Sequence, residues 1–284
     1  MKHSESYFDG AEGISLYTQC WLPKNITRAV IAIVHGIGEH SGRYMNVVDY
    51  VVPNQIGVYG YDLRGHGKSS GQRGHIDSWK QYRIDLMNFL RMIKSQQMGC
   101  PIFLMGHSLG ALIVLDLILA ENEELAGAII CGTPIEPVGV AKPYLVALAR
   151  LLSGVYPRFS VGLGLDQDAL SRDPAVVRAY KADPLVHGKV STRWGTESLS
   201  AVASVKMQVE DINVPILIIH GEADRIHTAE GTRKFFDQIR FHDKEIRVYP
   251  GGYHEAHNDL DYQEMLSDLL DWINRHIEDQ SLPV

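Results

Sequence analysis

The sequence predicts an α/β fold in which helices cover both faces of a mostly parallel, doubly wound sheet. Short apolar segments rich in β-branched residues recur along the chain, and segments with helical periodicity lie between them. This alternation is typical of parallel strands that are buried on both faces. In addition, a serine, an aspartate and a histidine each follow one of the apolar segments. That position places all three at the sheet edge where ligands bind in such folds.

The predicted strands begin with residues 14–21, where apolar and polar residues alternate as in an edge strand. Later segments are apolar almost without interruption, which predicts strands covered on both faces. These segments are residues 29–34, 57–61, 102–105, 127–131, 216–220 and 246–249.

Helical patterns lie between these strands, at residues 42–51, 78–95, 108–120, 229–239 and 261–277. From about residue 135 to about residue 208 the alternation stops, and no clear strand pattern is present. We therefore predict a core formed by residues 1–134 and 209–284, with residues 135–208 inserted into it as a helical unit.

Composition and charge exclude several classes of protein. The chain carries 27 basic and 34 acidic side chains, for a net charge of −7, whereas nucleic-acid binding requires a basic surface. Its three cysteines lie far apart without a CxxC motif, so we predict neither a disulfide framework nor a metal site. The N-terminus shows no apolar run of a signal peptide, and the longest such run, residues 111–120, is shorter than the ~20 residues of a membrane span. We expect a soluble, cytoplasmic protein.

The pentapeptide GHSLG at residues 106–110 carries the strongest chemical signal. It matches G-x-S-x-G, follows a predicted strand and opens a predicted helix, which is the context that this motif requires. A sharp strand-to-helix turn exposes the serine, and the helix N-terminus favours negative charge that develops beside it. We predict that Ser108 is the nucleophile of an ester hydrolase.

A serine hydroxyl needs a base, and the base needs an acid that holds it in the right tautomer. His254 follows the last predicted strand, and Asp224 lies between Ser108 and His254, in the chain order Ser…Asp…His. Sequence reasoning leaves His257 as the rival base and Glu136 as the rival acid. Two backbone N–H groups, those of Leu109 and Ile37, are predicted to form the oxyanion hole.

Five segments together resemble the monoacylglycerol lipase family of α/β-hydrolases. They are HGIGEHSGRY (35–44), YDLRGHGKSSGQRG (61–74), GHSLGA (106–111), HGEADRI (220–226) and GGYHEAH (251–257). The resemblance covers almost the whole chain and is weaker in the inserted unit. Related lysophospholipases and broad-specificity carboxylesterases share much of this pattern.

The resemblance implies an eight-stranded core with a helical cap over the active site. It implies hydrolysis of monoacylglycerols to glycerol and fatty acid, with no metal and no organic cofactor. It also implies substrate-binding roles for Glu39, Arg43, His107, Tyr180 and His257. The residues themselves leave another interpretation open: Glu39 and Arg43 form an ion pair that steadies the oxyanion loop, and His107 braces the turn at Ser108.

The inserted unit holds an apolar block that favours an acyl-chain tunnel or a lid in transient contact with a membrane surface. The alternative is a helix that packs its apolar face on the core, which is the commoner arrangement. The block consists of Tyr144, Leu145, Leu148, Leu151, Leu152, Val155 and Tyr156.

Rival functions fit this sequence less well. A dehalogenase or epoxide hydrolase needs an aspartate where Ser108 stands, and a cofactor-free haloperoxidase usually lacks the GEHSGR loop and a large cap. An aminopeptidase needs cap carboxylates that bind the substrate amine, for which Asp166, Asp168 and Asp173 are available. A non-catalytic binding module should have lost a member of the triad, and none is missing. Broad-specificity carboxylesterase and lysophospholipase activity stay open as alternatives.

Overall fold

The computed structural model describes residues 1–121, 123–136, 138 and 150–279. Within these residues, eight strands form one sheet in the order β1-β2-β4-β3-β5-β6-β9-β10, parallel except for β1 and β2. The α/β prediction is therefore confirmed. The strands of this sheet are β1 (Lys2–Asp9), β2 (Ser15–Leu22), β3 (Ala29–Val34), β4 (Ile56–Tyr61), β5 (Ile102–His107), β6 (Gly127–Cys131), β9 (Ile216–Gly221) and β10 (Lys244–Tyr249).

Helices cover both faces of the sheet because the side chains of each central strand alternate between two apolar clusters. Ile31 and Ile33 face one cluster, whereas Val30 and Val34 face the other. Helices α1 (Met45–Val51) and α8 (Tyr262–Asp279) pack on the first face, and α2 (Lys80–Gln96), α3 (Leu109–Ala120) and α7 (Ala229–Gln238) on the second.

Helix α3 is apolar all round because it lies between the sheet and other helices. Ten of its residues are buried, and its one carboxylate, Asp116, is paired with Arg83 of α2 at 2.8 Å. Burying a charge is costly unless it is paired, so this ion pair makes the position tolerable. The long apolar run in the sequence is thus a core helix.

The prediction that residues 14–21 form an edge strand is wrong, because β1 pairs along the whole of β2 and forms the edge itself. Strand β1 is exposed on both faces except for the half-buried Phe8. It therefore lacks the apolar pattern that marks a buried strand, and pattern reasoning missed it.

Between β6 and β9 lie α4, whose described part covers residues 150–155, α5 (Pro174–Ala182) and α6 (Thr192–Met207). This stretch also contains an antiparallel pair, β7 (Ser160–Gly162) and β8 (Lys189–Ser191), where we expected no strand. Strands of three residues that are largely exposed leave no periodic signal in the sequence. The boundaries of the core and of the inserted unit at 135 and 208 stay a prediction.

The inserted unit contacts the core at the loop that follows β3. The backbone N–H of His187 donates to the carbonyl of Gly38 at 2.9 Å, and His40 Nε2 lies 2.9 Å from Asp183 Oδ2.

None of the helices in the described part of the chain is long and apolar enough to cross a membrane.

Candidate active site

Ser108 lies in a strained turn between β5 and α3. Its φ of 50° and ψ of −116° fall where side chains other than glycine are rare. The turn is so tight that a Cβ at Gly106 would overlap the carbonyl oxygen of Gly110, and a Cβ at Gly110 would overlap that of Val34. Only glycine fits at both positions, which explains the spacing of the motif.

His254 and Asp224 lie on the loops after β10 and β9. The Nδ1 atom of His254 is 2.7 Å from Asp224 Oδ2. The other carboxylate oxygen, Oδ1, accepts the backbone N–H groups of Ile226 at 2.7 Å and His227 at 3.1 Å. Because Nδ1 faces a carboxylate, it carries the proton, and Nε2 is left as the basic atom of His254.

Asp224 is held in its ionised form by two histidines. Burial raises the pKa of Asp224, but His254 and His220 outweigh burial and lower it below its ordinary value. His220 Nε2 lies 3.2 Å from Asp224 Oδ2, while its Nδ1 accepts from the N–H of Thr133 at 3.3 Å. Because Nδ1 accepts, the N–H of His220 is at Nε2, where it faces Asp224 Oδ2 and the carbonyl oxygen of His227 at 3.1 Å.

A cavity of about 510 Å³ joins these elements. Ser108 and His254 line it together with Ile37 and Leu109, whose backbone N–H groups have no partner among the hydrogen bonds of the described residues. The predicted oxyanion donors thus border the same space as the predicted nucleophile and base. The apolar lining comes from core and inserted unit alike and includes Leu112, Pro134, Leu163, Leu165, Leu170, Trp194, Leu199, Val202 and Ile226.

The five residues predicted to bind substrate divide into two groups. Glu39, His107 and Tyr180 line the cavity, whereas Arg43 and His257 are not among its lining residues. His257 is fully buried, with its ring stacked on Tyr44 at 4.7 Å and 6°. The structure thus separates residues that can touch a ligand from residues behind them.

Glu39 and Arg43 form an ion pair at 2.6 Å, as the second interpretation expected. Arg43 also binds Glu255 through two hydrogen bonds of 2.6 and 2.7 Å, and its guanidinium lies 4.6 Å from the centre of the Tyr180 ring. Burial opposes ionisation of Glu39, but Arg43 and His107 hold its pKa well below the usual range.

The apolar block of the inserted unit does not line the cavity where it is described. Leu151, Val155 and Tyr156 are each more than 60% exposed, and Leu152 is half-buried. Tyr144, Leu145 and Leu148 lie outside the described residues. None of the four described residues of the block thus lines the cavity, and three of them face outward; an acyl-chain tunnel formed by this block stays a prediction.

Sequence reasoning missed three residues of this site, namely His220, His227 and Glu255. The sequence offered one indication that they belong to the site: each lies within four residues of Asp224 or His254. His227 lines the cavity, and its ring centre is 5.5 Å from that of His254.

Two histidines, the fully buried His257 and the half-buried His227, make the stability of the fold sensitive to acid. Burial, reinforced by neighbouring histidines, lowers the pKa of His227 and of His257 to about 3. As pH falls, the unfolded chain therefore takes up these protons first, near pH 6.5, and the free energy of unfolding decreases. We expect a loss of about 2 kcal/mol from His257 at pH 5 and a smaller loss from the half-buried His227, measured by urea unfolding at pH 7 and pH 5.

The matched variant is His257→Phe, which keeps a ring against Tyr44 and removes one titrating group. It should show a smaller loss between pH 7 and pH 5 than the unaltered chain. Equal free energies of unfolding at the two pH values in the unaltered chain would contradict the lowered pKa values of His227 and His257.

Comparison with known proteins identifies the family of this chain. The family described as "serine aminopeptidase, S33" matches residues 25–261. The monoacylglycerol lipase of Mycolicibacterium smegmatis is 33% identical over 96% of this chain and 98% of its own length. The human monoglyceride lipase is 30% identical over 88% of this chain and 83% of its own length.

A solved structure has the same fold. The crystal structure of the Paleococcus ferrophilus monoacylglycerol lipase is 31% identical, with a TM-score of 0.81 over 97% of this chain and 100% of that one. The resemblance inferred from the five motifs is thus confirmed. The chain belongs to the serine aminopeptidase S33 family, among its monoacylglycerol lipase-like α/β-hydrolases, and is a carboxylic ester hydrolase.

Proposed function

We propose that this ester hydrolase cleaves monoacylglycerols to glycerol and free fatty acid through an acyl-enzyme on Ser108. The observation that carries the proposal is the cavity, in which Ser108 and His254 border an apolar lining. Its volume of about 510 Å³ lies within the range of small-ligand sites and suits one acyl chain with a small head group. The names of relatives that are 30–33% identical support the same substrate.

The proposed reaction has two steps. His254 Nε2 takes the Ser108 hydroxyl proton while Oγ attacks the ester carbonyl, and the imidazolium then protonates the departing glycerol oxygen. Water attacks the acyl-enzyme with His254 again as base, which releases the fatty acid and restores Ser108. Asp224 stabilises the imidazolium through the 2.7 Å contact at Nδ1.

The backbone N–H groups of Ile37 and Leu109 would hold the oxyanion of each tetrahedral intermediate. Because they are fixed by the loop after β3 and by the start of α3, they need no rearrangement as charge develops. Loss of one such donor typically costs roughly 3–4 kcal/mol of transition-state stabilisation.

Tyr180 is the residue that we assign to the glycerol end of the substrate. It lies on α5, lines the cavity and is held by the guanidinium of Arg43 over its ring. Glu39 is less suited, because its Oε1 already accepts the Gly36 N–H at 2.6 Å and the Tyr44 hydroxyl at 3.0 Å. We assign Glu39, Arg43 and His257 to support of the loops around the cavity.

Residues 135–208 would form a cap that closes over the acyl chain and touches lipid. Leu151, Val155, Tyr156 and Phe159 lie within nine positions and are each more than half exposed. Exposed apolar patches of this kind mark surfaces that contact lipid or another apolar partner. The substrate could then pass from a membrane surface to the cavity without crossing water.

A substrate panel tests the proposed activity. We expect the highest kcat/KM for monoacylglycerols, compared with di- and triacylglycerols, lysophospholipids and short p-nitrophenyl esters. A preference for triacylglycerol, or no hydrolysis of monoacylglycerol, would refute the substrate assignment. Preference for lysophospholipid or for short esters would favour one of the two open alternatives instead.

Aminopeptidase activity belongs in the same panel because of the family description. Of the three cap aspartates, Asp166 lines the cavity, but its carboxylate pairs with Arg225 at 2.9 Å. Asp168 pairs with Lys181, and Asp173 accepts a backbone N–H at the start of α5. Because all three carboxylates are engaged, we expect no turnover of amino-acid p-nitroanilides.

The acyl side of the cavity can be tested by filling it. Val202 lies on α6 and lines the cavity, so Val202→Trp should lower kcat/KM for long-chain monoacylglycerols by about tenfold or more. Butyrate esters should be hydrolysed nearly as before, since a short chain leaves the space near Val202 empty.

Ser200→Trp provides the matched control, because Ser200 is exposed on the same helix. It should leave the preference for chain length unchanged. An equal loss for butyrate and long-chain esters in Val202→Trp would show that the acyl chain does not occupy this part of the cavity.

A further inference from the structure

Four buried charged or ionisable side chains are linked at the wall of the cavity, and we call Glu39, Arg43, Glu255 and His107 the buried quartet. Arg43 binds Glu39 on one side and Glu255 on the other, and Glu255 directly follows His254. His107 directly precedes Ser108, and its two ring nitrogens reach Glu39 and the backbone of His254. The quartet therefore links the loop of Ile37, the turn of Ser108 and the loop of His254.

The hydrogen bonds of Glu39 show that it is a carboxylate. Its Oε1 faces the N–H of Gly36, the hydroxyl of Tyr44 and His107 Nδ1, and its Oε2 faces Arg43 at 2.6 Å. A proton on either oxygen would point at a donor. Every one of these contacts is satisfied only if both oxygens accept.

Both nitrogens of His107 then face acceptors. Nδ1 lies 3.2 Å from Glu39 Oε1, and Nε2 lies 3.3 Å from the carbonyl oxygen of His254. A neutral imidazole has one N–H, so it can satisfy only one of these two oxygens. A proton on Nε2 alone would turn the lone pair of Nδ1 toward the Glu39 carboxylate, and a proton on Nδ1 alone would deprive the buried carbonyl oxygen of His254 of this donor, which is costly. The doubly protonated ring avoids both.

The charges of the quartet sum to zero only if His107 carries a proton on both ring nitrogens. Glu39 and Glu255 contribute two negative charges, and Arg43 contributes one positive charge. All four side chains are nearly excluded from solvent, with at most 10% of any of them exposed. An unbalanced charge at this depth is expensive, and an imidazolium at His107 brings the sum to zero.

We propose that His107 is held as an imidazolium by the buried quartet and acts as a positioning residue for the acyl transfer proposed at Ser108. Its Nδ1 packs against Gly36, at the start of the loop that carries Ile37. The distance is 3.0 Å from Nδ1 to the position that a Cβ atom would take if residue 36 were not glycine. A fixed positive charge there favours the oxyanion, since a preorganised charge in a site shielded from water needs no rearrangement. It also fixes the loop of His254 through the carbonyl contact.

The groups packed around His107 agree with this state. Burial lowers the pKa of His107, but the hydrogen bond and charge of Glu39, with the charge of Glu255, raise it above the ordinary value. His257, 5.0 Å away, is kept neutral, because burial and the charge at His107 lower its pKa to about 3. Tyr44, Arg43 and the His254 ring, whose centre is 4.8 Å from that of His107, complete the surroundings.

Nitrogen-15 NMR of ring-labelled histidine tests the protonation directly. At pH 8.5 we expect one buried histidine whose two ring nitrogens both resonate as N–H, and we expect its signals to disappear in His107→Gln. They should persist in His242→Gln, which removes an exposed histidine. An unprotonated ring nitrogen of His107 at pH 8.5 would overturn the proposal.

Glu39→Gln provides a second route, which holds even if His107→Gln does not fold. Without the facing carboxylate, the His107 signals should shift to those of a neutral ring at pH 8.5 and return to the imidazolium pattern as the pH is lowered. Signals that stay those of an imidazolium at pH 8.5 would show that Glu39 is not the partner.

The role in the reaction is tested separately with a soluble p-nitrophenyl ester. His107→Gln keeps a polar side chain and removes the charge, so we expect kcat to fall by roughly tenfold or more with KM nearly unchanged. A change in KM alone, or no change, would remove the positioning role. This role depends on the proposed function, but the NMR result needs no turnover and stands or falls without it.

Discussion

Replacing Ser108 by alanine is expected to lower kcat/KM for every ester by at least about 10⁴-fold, because no other group can form the acyl-enzyme. The loss should appear in turnover and not in folding. Alanine keeps the Cβ and removes only the hydroxyl, so the turn with φ 50° is neither relieved nor worsened. Steady-state kinetics and labelling by a fluorophosphonate probe measure the effect, and the melting temperature checks the fold.

The matched control is Ser200→Ala, which removes a hydroxyl from an exposed position of α6. It should keep its activity and its labelling. Near-normal turnover by Ser108→Ala would refute the nucleophile. Absence of labelling in the unaltered chain would favour the non-catalytic binding module.

Asp224→Asn is the second large effect, with kcat at pH 7 expected to fall by about 10⁴-fold. The backbone N–H groups of Ile226 and His227 require an acceptor at Oδ1, so the amide oxygen must lie there and the NH₂ group must face His254. That NH₂ group donates to Nδ1, which moves the ring proton to Nε2. His254 then cannot accept the proton of Ser108, although the loop keeps its shape.

Glu136→Gln is the control for the acid, because sequence reasoning left Glu136 as its rival. Glu136 is exposed and does not line the cavity. We expect kcat within about twofold of the unaltered enzyme, as for a surface change away from the site. If Glu136→Gln lost activity and Asp224→Asn kept it, the roles of the two acids would have to be exchanged.

The central strands could be predicted from the sequence because burial on both faces leaves a continuous apolar run. Residues 29–34 and 127–131 coincide with β3 and β6. Strands whose side chains meet solvent could not be found this way. Strand β1 is mostly polar, and β7 and β8 are short, so each owes its existence to a hydrogen-bonded partner and not to its own pattern.

The candidate site, too, has parts that a local sequence pattern predicts and parts that it does not. Ser108 could be predicted because a strained turn admits only glycine at 106 and 110, which is a local requirement written into five consecutive residues. The position of Ser108, Asp224 and His254 at one edge of the sheet followed from the rule that ligands bind beyond the carboxyl ends of parallel strands. The lining of the cavity could not be predicted, because the outward-facing residues Val155 and Tyr156 are as apolar as the inward-facing Leu163 and Val202.

The sequence by itself determined the central strands of the sheet, the turn at Ser108 and the family, because each of these depends on residues that are neighbours in the chain or on runs of buried residues. Only the tertiary structure decided what the charged residues of the GEHSGR loop do. Arg43 meets Glu255 across 212 positions, and His107 meets Glu39 across 68. Such pairings follow from packing, and once the side chains are buried, the need to balance charge at low dielectric sets their protonation.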